Sequence, residues 1–181
     1  MKGSPVRSLQ KFVESNLSAE QREVMFSRLP PEFAARLRGP ILPTETISVH
    51  ILNRFTEEAA KARGEPLESF AMRAGREGAN EAVRGIYRFF VLVLTPPALL
   101  SKGGHMWRSL YNRGELRVEN QTSNSARIRL VDFPAERAGC LRVTGWIEKM
   151  AELTGVTVIR VEQTKCFAQG APACEWELEW G

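Results

Sequence analysis

The chain has 181 residues, with 25 Lys and Arg against 21 Asp and Glu, and 43% of its residues are apolar. These values are ordinary for a globular protein and exclude disordered, collagen-like and coiled-coil classes. The net charge of +4 comes without a basic stripe with interleaved aromatics, so we expect no nucleic-acid partner. No apolar run approaches the roughly 18–20 residues of a membrane span, and no secretion signal is visible, so we expect a cytoplasmic protein.

The first half of the chain predicts helices. Short helical patterns end at a Gly-Pro linker, so we predict a helical N-terminal arm over 1–40 and one domain over 41–181. Apolar residues at helical spacing predict a helix that ends at Gly64 and a longer helix over 67–94. Small residues share one face of this longer helix, which indicates close packing or the wall of a cavity: Gly75, Gly78, Ala82 and Gly85.

The second half predicts two pairs of strands separated by a helix. In order, the predicted elements are a helix at 98–112, strands at 115–121 and 126–131, a helix at 138–153, and strands at 156–164 and 175–180. In the last strand, three apolar residues alternate with Glu175, Glu177 and Glu179, so we expect these carboxylates in water. The predicted fold class is α+β, an antiparallel sheet of about four or more strands with helices on one face and a helical N-terminal region.

All three cysteines lie in the predicted C-terminal half, at Cys140, Cys166 and Cys174. Cys140 falls in the first turn of a predicted helix, where free backbone amides favour a thiolate, and the other two flank the turn of the last hairpin. If the helix packs on the hairpin, three thiolates converge, and zinc is the metal that prefers such a set, with Glu162 or Gln163 as the fourth ligand. The alternative is that the thiols are small buried apolar side chains.

The segments around these cysteines resemble a known family. Cys140-Leu-Arg-Val-Thr-Gly145-Trp146 and Cys166-Phe-Ala-Gln-Gly170-Ala-Pro-Ala-Cys174 look like the C-terminal part of the 4-vinyl reductase domain, in the zinc-containing form of bacterial activators that sense aromatics. The resemblance implies a structural zinc at the three cysteines, with Gln163 where the family has Glu. Over 45–135 the chain also resembles a myxobacterial paralogous family of unknown function, through the Gly75-Arg-x-x-Gly78 region and Gly114-Glu115.

The resemblance implies a pocket between helices and sheet that binds an apolar or aromatic small molecule. The side chains available to line it are Phe89, Phe90, His105, Trp107, Tyr111 and Trp146. The alternative is that these aromatics are ordinary core residues.

We therefore expect a non-catalytic small-molecule sensor with a structural zinc site, which signals through a homodimer or a protein partner. The alternative is an enzyme or accessory factor of tetrapyrrole metabolism, of the vinyl reductase type. A third hypothesis is an interaction adaptor without a cavity. The sequence favours the non-catalytic hypotheses because His50 and His105 lie in different segments and no nucleophile, Walker or Rossmann motif accompanies them.

Overall fold

The computed structural model describes residues 1–84 and 94–181. The helices in these ranges are α1 (Ser4–Asn16), α2 (Ala19–Arg28), α3 (Pro31–Arg38), α4 (Val49–Arg63), α5 (Leu67–Arg84), α6 (Pro96–Leu100), α7 (Gly103–Leu110) and α8 (Arg137–Glu152). The strands are β1 (Glu115–Glu119), β2 (Ser125–Val131), β3 (Val158–Lys165) and β4 (Cys174–Trp180). The α+β class and the helical N-terminal region are confirmed.

The four strands form one antiparallel sheet in the order β1-β2-β4-β3. Ile128 of β2 pairs with Trp176 of β4, and Trp176 in turn pairs with Gln163 of β3. Residues of α8 such as Val143 and Ile147 pack on the apolar face of the sheet. Helices α1 to α5 precede the sheet in the sequence. No helix in the described ranges is long and apolar enough to cross a membrane.

The last strand differs from its prediction at one glutamate. The apolar side chains face the core as expected, but Glu175 is only 6% exposed. Arg129 and Lys165 from the neighbouring strands reach its carboxylate, with N–O distances of 3.3 and 2.9 Å. Two cross-strand cations therefore cover this carboxylate from water, which alternation along a single strand does not reveal.

Residues on both sides of the predicted boundary near residue 40 share one hydrophobic cluster. Val6 and Leu9 of α1 are buried in it together with Leu52 of α4 and Phe70 of α5. Phe12 meets Phe70 edge to face, with ring centroids 5.3 Å apart. The N-terminal helices thus pack directly on α4 and α5, and a separate role for residues 1–40 stays a prediction.

Helices α5 and α8 cross in close contact. A Cβ atom built on Gly145 would stand 2.1 Å from the carbonyl oxygen of Met72, so only glycine fits at this point. Both helices therefore hold fixed positions relative to each other. Residues on their adjoining faces form one wall of a cavity.

Candidate ligand-binding cavity

A cavity of about 430 Å³ lies between α1, α5, α7 and α8 and opens to solvent. Its volume falls in the range of small-molecule sites. Most of the lining is apolar, and its larger side chains are Leu9, Met106, Trp107, Tyr111, Val143 and Trp146.

The small residues of α5 form one wall of the cavity. Ala74, Gly75, Gly78 and Ala82 all line it. At Gly78 an added Cβ would meet nothing closer than the Ser8 hydroxyl at 3.7 Å and Trp146 Cδ1 at 4.0 Å. This face of α5 therefore packs on α8 at Gly75 and borders open space at Gly78, one turn later.

Stacked aromatics form the wall on the side of α7. The rings of Trp107 and Tyr111 stack with centroids 4.1 Å apart, and Phe133 meets both rings edge to face. Trp107 Nε1 donates a hydrogen bond to the carbonyl oxygen of Arg113 at 3.0 Å. Burial raises the pKa of Tyr111. The two rings are therefore held in fixed orientations and offer a flat apolar surface.

The structure brings some of the predicted pocket residues together and not others. Trp107, Tyr111 and Trp146 line the cavity. His105 is exposed on α7 and instead faces an open groove beside β1, together with Arg108 and Arg117. Phe89 and Phe90 lie outside the described residues. Ligand contact by any of these residues stays a prediction.

Sequence reasoning missed two polar residues of the cavity, Arg142 and Ser8. Arg142 precedes Trp146 by four residues on α8, so the two share a helical face, and this spacing was the available signal. No comparable signal exists for Ser8, because α1 reaches the cavity only through the tertiary packing of the N-terminal helices.

Arg142 makes one hydrogen bond, from Nη2 to Asn53 Oδ1 at 2.9 Å. Its Nε is excluded from solvent and has no partner among the described residues, and the same holds for Asn53 Nδ2 and Ser8 Oγ. Burial lowers the pKa of Arg142. At the cavity mouth, Lys11 pairs with Glu81 at 2.7 Å. The cavity therefore combines apolar walls with a half-buried arginine whose Nε is excluded from solvent.

The three cysteines form a second, separate cluster between α8 and the last hairpin. Their buried sulfurs all lie within 4.8 Å of one another, and Cys140 Sγ is 3.7 Å from Cys166 Sγ and 3.5 Å from Cys174 Sγ. The hydrogen bond between Cys140 and Cys174 raises the pKa of Cys140 far above its usual range and lowers that of Cys174 to about 7. The backbone N–H of Phe167 also donates to Cys174 Sγ.

The two residues predicted as the fourth ligand make other bonds. Glu162 is exposed and forms an ion pair with Arg160. Gln163 donates its amide hydrogen to the carbonyl oxygen of Lys165 at 3.1 Å. Glu162 faces solvent, whereas the Gln163 side chain also bonds the Cys140 thiol and partly counteracts the rise in that thiol's pKa.

The fold is that of solved H-NOX proteins. An H-NOX protein from S. oneidensis in the Fe(II)NO state aligns with a TM-score of 0.77 at 14% identity, over 100% of this chain and 99% of that one. The Fe(II) unliganded H-NOX protein from K. algicida aligns with a TM-score of 0.77 at 13% identity, over 100% of this chain and 97% of that one. A mutant H-NOX from T. tengcongensis aligns with a TM-score of 0.74 at 14% identity, over 99% of this chain and 97% of that one. No protein-family model and no curated protein matches the chain in sequence.

These alignments correct two predictions. The resemblance to 4-vinyl reductase domains is wrong, because the structures that match over the whole chain are H-NOX proteins. The structural zinc is also wrong as the cofactor, because the matching H-NOX structures were solved in Fe(II) states. The sulfurs do converge as the sequence suggested. The chain therefore has the fold of the solved H-NOX proteins.

Proposed function

We propose that this chain is a non-catalytic small-molecule-binding sensor domain whose ligand occupies the cavity between α1, α5, α7 and α8. The observation that carries the proposal is the cavity itself, about 430 Å³ with two tryptophans and a tyrosine in its wall. The proteins that share the fold were solved with iron in Fe(II)NO, Fe(II)CO or unliganded states, which supports small-molecule binding as the use of this fold.

The described residues of the cavity offer no good ligand for the iron of heme, the group found in the H-NOX family. Heme iron is held by His, Cys, Tyr or a Met that accompanies His. His105 is exposed outside the cavity, and His50 is exposed on α4 beside Glu136. Tyr111 does line the cavity, but burial raises its pKa and so disfavours the phenolate that would bind iron.

The cysteines do not supply a ligand to the cavity either. All three lie in the cluster behind α8, and the described lining of the cavity includes none of them. We therefore infer a ligand other than heme, an apolar or aromatic small molecule that packs on Trp107 and Trp146. Output would pass to a protein partner or through a homodimer, as the sequence also led us to expect.

The experiment is a fluorescence titration with Nile red, a neutral apolar dye. We expect the wild-type protein to bind it in the cavity and to raise its emission. Gly78→Leu places a side chain in the cavity and should abolish binding, whereas Ser69→Leu adds the same side chain at an exposed position of α5 and should not. Equal binding by the wild type and Gly78→Leu would contradict the proposed site.

A heme titration tests the other half of the proposal. We expect no one-to-one complex with the absorbance of ligated heme, in the wild type or in His105→Ala. A stoichiometric complex that His105→Ala abolishes would overturn the assignment of a ligand other than heme. A failure of both Nile red and heme to bind would favour the adaptor hypothesis, in which the chain carries no small molecule.

A further inference from the structure

The guanidinium of Arg142 is the feature of the cavity that apolar binding does not explain. Its one hydrogen-bond partner among the described residues is the neutral amide oxygen of Asn53, at 2.9 Å. No carboxylate among the described residues lies within 4.0 Å of it. Elsewhere in these ranges ion pairs are abundant, as at Lys11, Arg129 and Lys165. Removing a cation from water, even in part, costs free energy when no anionic partner compensates it.

The polar groups near this arginine have one common property. Arg142 Nε and Asn53 Nδ2 are both buried and unpartnered, and both are donors. Asn53 is fully buried and its oxygen accepts from Arg142, so the two unpartnered atoms of the pair are both donors. Ser8 adds an unpartnered hydroxyl to the lining of the cavity. What the two nitrogens lack is an acceptor, and above all a negatively charged one.

The charges around the cavity are mostly positive. The basic residues in its described lining are Arg7, Lys11 and Arg142, and the acidic residue is Glu81. Lys11 pairs with Glu81 at the mouth, so that carboxylate is engaged there. The excess of positive charge favours an anion inside.

We propose that the ligand is an apolar monocarboxylate, with its carboxylate against Arg142 and its apolar body on Trp107, Tyr111 and Trp146. This inference rests on the proposed function, because it names the class of molecule that the cavity takes. A guanidinium recognises a carboxylate through two parallel N–H donors, and such charge-assisted bonds are the strong ones. The apolar walls favour an anion with an apolar body over a hydrophilic one such as inorganic phosphate, which gains nothing from contact with them.

The experiment is isothermal titration calorimetry at pH 7 with two probes of the same shape, 2-naphthoate and 2-naphthylmethanol. The first is an anion and the second is neutral. We expect the wild type to bind naphthoate about tenfold more tightly than the alcohol, the factor that a charged hydrogen bond of roughly 1.5 kcal/mol supplies. Arg142→Met should remove this preference and leave binding of the alcohol in place.

Two variants control for charge and folding. Arg137→Met removes an exposed arginine from the same helix, with a side chain 63% exposed, and should keep the preference. Arg142→Lys keeps the positive charge and should keep part of the preference. The melting temperature of each variant checks that it folds.

The outcomes separate this inference from the proposed function. If both probes bind the wild type equally, the cavity binds ligands and the carboxylate inference is overturned. If neither probe nor Nile red binds, the proposed function itself fails. If Arg142→Met and Arg137→Met lower naphthoate affinity alike, the preference comes from net charge, and the assignment to Arg142 is overturned.

Discussion

Gly75 of α5 lies directly against the backbone of Arg142 of α8. A Cβ atom at position 75 would stand 2.0 Å from the carbonyl oxygen of Arg142, well inside van der Waals contact. The reciprocal contact, of Gly145 with Met72, lies along the same crossing. The two glycines therefore fix the backbone that carries Arg142, and so fix where its guanidinium enters the cavity.

We predict that Gly75→Ala destabilises the protein, because the helices must separate to admit the methyl group. The expected loss is about 1–3 kcal/mol of unfolding free energy, the usual cost of overpacking. Urea denaturation followed by circular dichroism measures it. Gly78→Ala is the control one turn away, where the new Cβ finds its nearest atom at 3.7 Å. There the helix propensity of alanine should raise stability by up to about 1 kcal/mol.

The sequence predicted a face of small residues on α5, but it could not show which of them pack on another helix and which line a cavity. Gly75 turned out to contact α8 and Gly78 to face open space. Helical spacing determines which residues share a face, but the partner of that face depends on how distant segments pack. The same limit explains why Arg142 was not predicted as a cavity residue, although it shares a helical face with Trp146.

The order of helices and strands was predictable because each element carries its own periodicity and its own breakers. The family assignment failed for a different physical reason. Three cysteines that converge between a helix and a hairpin form a local arrangement, and different folds can present such an arrangement on the same elements. The identity of the fold depends on all the elements, including α1, whose contact with the cavity no local motif encodes.

We predict that Phe12→Ala destabilises the whole protein and not only the N-terminal helices. Phe12 is buried against Phe70 of α5, with centroids 5.3 Å apart. Removing a buried phenyl ring costs about 3–5 kcal/mol. Thermal unfolding should remain a single transition at a lower temperature. Phe167→Ala is the control, since that ring is 48% exposed. An unchanged main transition in Phe12→Ala would support the prediction that residues 1–40 form a separate arm.

We predict a coupled effect at Trp176 and Thr144, which connect β4 to α8. Trp176 Nε1 donates to Thr144 Oγ1 at 2.8 Å, and both residues are buried. Thr144→Val keeps the shape but leaves the indole N–H without its partner, at an expected cost of about 1–3 kcal/mol. In Trp176→Phe background the same substitution should cost less, because the donor is gone. A double-mutant cycle in urea measures the difference, and additive effects would contradict the coupling.

The last prediction concerns acid stability and the ion pairs between α5 and α8. Arg76 donates to both carboxylate oxygens of Glu152, at 2.9 and 2.8 Å, and also pairs with Glu148. Partial burial raises the pKa of Glu152, but the hydrogen bonds from Arg76 and Lys149 outweigh burial and hold the pKa below its usual value. The stabilisation by this carboxylate is therefore fully present above its unfolded pKa, near 4.5, and is lost as the pH falls through the folded value.

Glu152→Gln should consequently lose about 0.5–1 kcal/mol of stability at pH 7, a modest amount because the pair is partly exposed. The difference between wild type and variant should shrink as the pH falls from about 5 to about 3, since the wild type then loses the same charge. Glu14→Gln, at an exposed position of α1, is the control for a change of net charge alone. Unfolding free energies measured in urea at several pH values test this. A difference that stays constant with pH would show that Glu152 stabilises the crossing by packing and not by its charge.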